Sequence, residues 1–441
     1  MTPGTPLLIA TLAAVALLLF LILYLRLHAF LALLISSFSL GLMTGMSPAK
    51  LLKSIQVGFG EALGFIAVVV ALGAIIGRFL EHSGGGRHLA EWLLEKFGSK
   101  LTPWALLTAA FLVGLPLCFG VGFIIIVPLA WSLARESKKS LLYYGLPMGC
   151  ALTVVHAMVP PHPAPAAAAQ MFHADLGKTI LWGIAISIPM AISGGIGYGL
   201  WIAKRMFVPV PEIATNDVRV ENPPSVPMVL LLLLMPVTLI FIATFMNLDN
   251  PKADNWFTLV GHPFTALLLT TLVTLVCLGA QRAMSRAQIS SMAIEARARV
   301  GALLAMVGGG GAFKQVIVDS GVGPYAGQLL ASSAIPPILV AYAVATALGV
   351  ARGSATVAII TAAGIVAPLV KDIPGQSPEL LVLALCAGGT ILSHVNDAGF
   401  WLVNQYLGLT VPETLRTWTV MKVITSVVGI AIILAVDWLR T

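Results

Sequence analysis

Six long apolar runs limit what this chain can fold into more than any other feature. They are Leu7–Leu25, Ala62–Leu80, Ile180–Trp201, Val226–Met246, Pro263–Gly279 and Val423–Val436. A bilayer's hydrocarbon layer is about 30 Å thick, and an α-helix rises about 1.5 Å per residue, so about 20 apolar residues span it. A transmembrane barrel would show alternating segments of about 10 residues instead. The chain is 58% hydrophobic and only 10% Asp, Glu, Lys or Arg, whereas soluble domains carry about 25% charged residues. The pattern predicts an all-α polytopic membrane protein with about 12–14 membrane segments.

The formal net charge of +7 does not point to nucleic acid, because the basic residues sit between apolar runs, where they set orientation. Cys118, Cys150, Cys277 and Cys386 lie in apolar surroundings with no paired ligand spacing, so neither a metal nor another cofactor is expected. The N-terminus lacks a basic leader, and Leu7–Leu25 is long for a signal peptide, so it reads as the first span.

The chain also repeats itself. His28–Leu34 matches His262–Leu268, Met46–Ala49 matches Met284–Ala287, and Ser83–Gly86 matches Ser320–Gly323. Pro128 pairs with Pro368 and His156 with His394, all in the same order at spacings of 234 to 240 residues. Two homologous halves follow, 1–205 and 226–441, joined by a polar linker, 206–225. Weak internal symmetry of this kind marks secondary-transporter folds. Lys204, Arg205, Arg282, Arg286, Arg297 and Arg299 flank two spans whose connecting loop carries Asp249, Lys252 and Asp254. The positive-inside rule then puts the linker in the cytoplasm and inverts the second half relative to the first.

Four stretches break helical rules inside apolar surroundings: "GLPLCFGVG" from Gly114, "PPHPAP" from Pro160, "GVARGSATVA" from Gly349 and "SHVNDAGFW" from Ser393. Proline removes a donor and glycine loosens a helix. At membrane depth the freed groups are tolerated only against protein or a water-filled cavity. Gly114, Gly120, Gly122, Pro160, Pro161, Pro163 and Gly353 are the expected break residues. Such paired interruptions predict broken helices or re-entrant hairpins that line a substrate site near the midplane. Helix N-termini there suit an anion. Asp397 is costly in a membrane and reads as functional. Arg352 is placed either to clamp a carboxylate or to pair with Asp397. "GGGG" (Gly308–Gly311) lacks the Lys-Ser/Thr ending of a phosphate loop and reads as a helix break or close-packing site, with Lys314 and Asp319 as a candidate pair.

"PPHPAP", "GGGGAFKQVIVDSGV", "GSATVA", "SPELLVLA" and "SHVNDAGFW" resemble the motifs of the gluconate:proton symporter (GntP) family over essentially the whole chain. The resemblance implies a bacterial inner-membrane importer of gluconate or a related sugar acid, coupled to protons. It also implies kinship with the ion-transporter superfamily, whose members pair a scaffold with a mobile transport domain, often as homodimers. On that plan 1–46 and 226–279 are scaffold-like, and 47–205 and 280–441 carry the transport elements in an elevator-type alternating access. The expected substrate residues are His162, Arg352, Ser354, Thr356, Ser393, Asn396 and Asp397; the expected proton carriers are Asp397, His156 and His162. Family members usually carry a Glu where Gly120 stands here. Two alternatives stay within transport: another hydroxy or amino acid as substrate, or Na⁺ coupling. An intramembrane enzyme is the remote one, since neither GxSxG nor HExxH occurs.

Overall fold

The computed structural model describes residues 5–211, 220, 222–246, 255–282, 284–298, 301–322, 325, 335–371 and 373–440. Among these there is no strand. The first half runs α1 (Thr5–Leu23), α2 (Ala29–Met43), α3 (Pro48–His82), α4 (Gly85–Phe97), α5 (Thr102–Gly114), α6 (Phe119–Ser137), α7 (Leu142–Met158), α8 (Pro163–Met171) and α9 (Leu176–Ala203). The second runs α10 (Val226–Met246), α11 (Trp256–Gly261), α12 (Pro263–Arg282), α13 (Arg286–Ala298), α14 (Gly301–Asp319), α15 (Pro337–Arg352), α16 (Ala355–Val370), α17 (Pro378–Gly389), α18 (Ala398–Tyr406) and α19 (Val411–Arg440). Asp249, Lys252, Asp254 and Arg299 lie outside the described residues, as do the side chains of Arg297 and Arg352.

Sequence chemistry explains where many helices start. Ser47 and Ser377 accept hydrogen bonds from the backbone of the first turn, and a proline follows each at the first helical position. There its missing N–H costs nothing, and its fixed φ suits the helix. Among the described residues, 8 segments are long and apolar enough to cross a membrane. Shorter apolar helices include α5, α16 and α17. A helix of 13 residues such as α5 rises only about 20 Å, too short to cross the hydrocarbon layer by itself.

The two halves show the same neighbour relations. α5 packs on α7 and α7 on α9; α15 packs on α17 and α17 on α19. The halves also interlock, with α6 against α18 and α8 against α16.

Two local expectations change, and the glycine run is decided between its two readings in favour of close packing. The last span is not the short run Val423–Val436 but α19, which begins at Val411 and includes a π-helical stretch at Leu415–Thr419. The glycine run does not break the chain: α14 passes straight through Gly308–Gly311. These glycines let neighbours approach. A Cβ on Gly308 would meet the Phe59 ring of α3, and one on Gly309 the Phe30 ring of α2. One on Gly310 would meet Met171 of α8 and Ile360 of α16; one on Gly311 would overlap the Gly58 carbonyl of α3. Lys314 and Asp319 do not pair either. Lys314 Nζ lies 3.4 Å from His173 Nε2, while Asp319 accepts from Ser54 Oγ at 2.6 Å and Gln315 Nε2 at 3.0 Å. The two sit more than a turn apart, and each has a nearer polar partner on its own side of α14.

Candidate functional site

In the first half, α5 stops at Gly114 and α6 starts at Phe119, so the break itself is Leu115–Cys118. Gly120 and Gly122 lie in the first turn of α6. The second interruption, Val159–His162, joins α7 to α8; Pro160–Pro161 is a cis peptide, and Pro163 opens α8. His162 ties the two breaks together. Its Nε2 lies 2.6 Å from the carbonyl oxygen of Gly114, at the C-terminal end of α5. A carbonyl only accepts, so Nε2 carries the hydrogen. His162 Nδ1 then serves as acceptor for His156 Nδ1, 3.2 Å away. The rings stand 4.7 Å apart at 70°. His162 is 4% exposed, so this contact satisfies the Gly114 carbonyl away from water.

The second half makes the same kind of link with other side chains. α15 ends at Arg352, and Gly353 turns the chain with φ +72°. Asn396 Nδ2 donates to the carbonyls of Val350 and Ala351 at 3.2 and 3.3 Å, and His394 Nε2 reaches Val350 O at 2.9 Å. A Cβ on Gly353 would lie 2.6 Å from the Asn396 backbone carbon. So Asn396, just before α18, seals the end of α15 as His162, just before α8, seals the end of α5.

The helix starts differ between the halves. Ser354 caps α16 through Val357 N, and Asp397 caps α18 through Gly399 N at 3.0 Å. α6 and α8 begin without a side-chain cap. Ser393 is buried, and its hydroxyl is engaged on both sides: it donates to Asp397 Oδ2 and accepts from Trp418 Nε1 at 2.8 Å. Ser393 therefore positions Asp397 rather than facing open space. Thr356 is half-buried on the first turn of α16.

A cavity of about 210 Å³ is bounded on one side by the first-half breaks, Leu115–Cys118 and Pro161–Pro163. On the other side it meets α3, α10 and α12, through Gly77, Pro236 and Leu267. Of the expected residues, His162, Pro161 and Pro163 line it; Ser354, Thr356, Ser393, Asn396 and Asp397 do not. The two sets of breaks still approach each other. The rings of Phe119 and Trp418 are 5.4 Å apart, and a Cβ on Gly120 would meet only Leu402, at 3.8 Å.

One buried charge escaped the sequence reading. Lys422 of α19 is 4% exposed, and its Nζ donates to Thr153 Oγ1 of α7 at 2.8 Å and to Thr390 Oγ1 just after α17.

Residues 6–439 match the sequence pattern of the GntP family permeases. The gluconate permease of Pseudomonas aeruginosa is 43% identical over 419 residues, covering 93% of this chain and 92% of that protein. The high-affinity gluconate transporter of Escherichia coli is 38% identical over 430 residues, covering 96% and 98%. Among solved structures, the Alcanivorax borkumensis YdaH transporter superposes with a TM-score of 0.60 at 15% identity, covering 88% of this chain and 89% of that one. At that identity the likeness speaks to fold alone.

Proposed function

Because the chain belongs to the GntP permease family, we propose that it imports gluconate or a related sugar acid together with protons, by alternating access of an elevator type. That it is a multi-pass membrane transporter and not an enzyme follows from the family and from its eight candidate spans. The carrying observation is 38–43% identity to gluconate transporters along more than nine-tenths of the chain.

The geometry supports a division of labour. The sugar acid's carboxylate approaches the uncapped starts of α6 and α8, where backbone N–H groups and the helix dipoles favour an anion. His162 borders that cavity. On the second-half side, Asn396 and Asp397 supply polar groups for hydroxyls, with Ser354, Thr356 and Arg352 near the carboxylate and Ser393 holding Asp397. The cavity separates the breaks from α10 and α12, the region expected to be scaffold. A movement of the break-bearing elements against those helices would open it alternately to each side. Two repeats of opposite orientation and a homodimer belong to the same proposal. Exposed apolar side chains on α1, α2, α10 and α12, such as Leu12, Leu31, Ile242 and Leu272, supply surface for lipid and for a second copy.

The test is gluconate uptake into proteoliposomes with an inward proton gradient imposed, then abolished, with Na⁺ present and then replaced. Accumulation that follows the proton gradient and ignores Na⁺ supports the reading. Accumulation that needs Na⁺ transfers the coupling to that ion, and uptake that only equilibrates makes the protein an uncoupled facilitator.

A further inference from the structure

A proton-coupled transporter needs a seat for the coupling proton. Asp397 already accepts from Ser393 and from Gly399 N–H. The His156–His162 contact holds one hydrogen between two Nδ1 atoms, and both ring nitrogens of His162 are engaged. Lys422 is different. An ammonium has three hydrogens and an amine two. The described residues offer Lys422 Nζ two acceptors, Thr153 and Thr390, and no carboxylate within ion-pair distance. The two hydroxyls match the two hydrogens of a neutral amine; an ammonium's third hydrogen has the Trp418 ring, whose centroid lies 6.0 Å from Nζ.

Its position is also telling. Thr153 lies one turn before His156 on α7, and Thr390 three residues before Ser393. Lys422 therefore sits between the approaches to the two second breaks, one from each half. The titratable groups that face it are His156 and Cys150 from α7, and Asp397 from the segment between α17 and α18.

We propose that Lys422 is the proton carrier: a neutral amine in the empty transporter and an ammonium when the sugar acid is bound. This rests on the proton-coupled reading above. One proton from the outer solution adds to the amine lone pair, the ammonium's charge favours the incoming carboxylate, and the same proton leaves to the cytoplasm after the anion. No other bond changes. Charge on the moving site is the same in both directions, because ammonium plus carboxylate equals neutral amine. The stoichiometry is one proton per monoanion.

The experiment compares native protein, Lys422→Arg, Lys422→Met and Thr390→Val, all full-length, using gluconate as probe. Native protein in weak buffer should take up about one proton per gluconate bound, and a one-unit inward pH gradient should sustain about tenfold accumulation. Lys422→Arg, with a permanent cation, should keep gluconate exchange across the membrane but lose proton uptake and at least about tenfold in net accumulation. Lys422→Met should lose proton uptake as well. Thr390→Val removes an acceptor that the ammonium needs more than the amine does, so the pH midpoint of proton uptake should shift downward in a protein that still binds. Proton uptake of native size in Lys422→Arg or Lys422→Met, or an unmoved midpoint in Thr390→Val, would overturn the assignment. Native protein that accumulates gluconate without taking up protons fails earlier, at the coupling reading, and takes the assignment with it.

Discussion

The two pairs of helix breaks solve one problem with opposite chemistry. In the first half a buried imidazole, His162, closes the carbonyl end of α5, and the following helices start uncapped beside a cavity. In the second, an exposed amide, Asn396, closes the end of α15, and Ser354 and Asp397 cap the next helices. Burial accounts for the difference. Away from water a neutral ring can donate and accept without the cost of a charge, whereas at an accessible site amides and carboxylates are inexpensive. The first half therefore leaves backbone donors at its helix starts for an anion, whereas the second spends its polar side chains on its own helix ends.

Four substitutions sharpen or break this contrast. The largest effect belongs to Gly353→Ala. Its left-handed backbone costs about 1–3 kcal/mol with any side chain, and the new Cβ displaces Asn396, ending both of its bonds to α15. Thermal unfolding in detergent should show a clear loss; native-like stability would mean that the turn is not held as described. Next comes His162→Ala, which strands the buried Gly114 carbonyl at about 1–3 kcal/mol and should slow gluconate uptake more than it lowers expression. Asn396→Ala ranks third, at about 0.5–1.5 kcal/mol, because water can replace the amide. If it proves the more damaging of the two, burial does not explain the division. Smallest is Gly120→Glu. The position has room, with Leu402 as the only neighbour of a new Cβ, and an anion in the first turn of α6 stabilises by about 0.3–1 kcal/mol. Unfolding should be unchanged or slightly later, while the pH profile of uptake reports whether a carboxylate there joins the coupling.

Much of this was legible beforehand. Pro160, Pro161, Pro163 and Gly353 announced interruptions because their backbone chemistry acts locally, wherever the chain goes next. The apolar runs announced spans for the same reason, and the motifs from Gly308 and Ser393 carried the family. What stayed hidden depended on distant partners. Asn396 binds α15 from 45 residues away, and nothing local says so. Lys422 precedes the run Val423–Val436, and a lysine at the edge of an apolar run ordinarily snorkels to water, so its place beside that run does not mark it as buried. Because α19 starts eleven residues earlier than that charge, it is carried into the interior. One signal was available: Trp418, Lys422, Thr425 and Ser426 recur at helical spacing, a polar face on a helix that otherwise has no reason for one. The glycine run was half legible: it read as a break or a close-packing site, and only the neighbours at each glycine decide for close packing.

That run has a consequence for how the chain can vary. On an ordinary helix, tolerance to substitution rises and falls every three or four residues, as positions turn from the core to the outside. At Gly308–Gly311 each successive position faces a different neighbour: α3, α2, then α8 with α16, then α3 again. No direction around α14 is left open at that level. Replacement should be refused at all four consecutive positions, a flat stretch in a pattern that is elsewhere periodic. Drift in this turn would require at least two helices to change together, which makes it among the slowest-moving parts of the sequence.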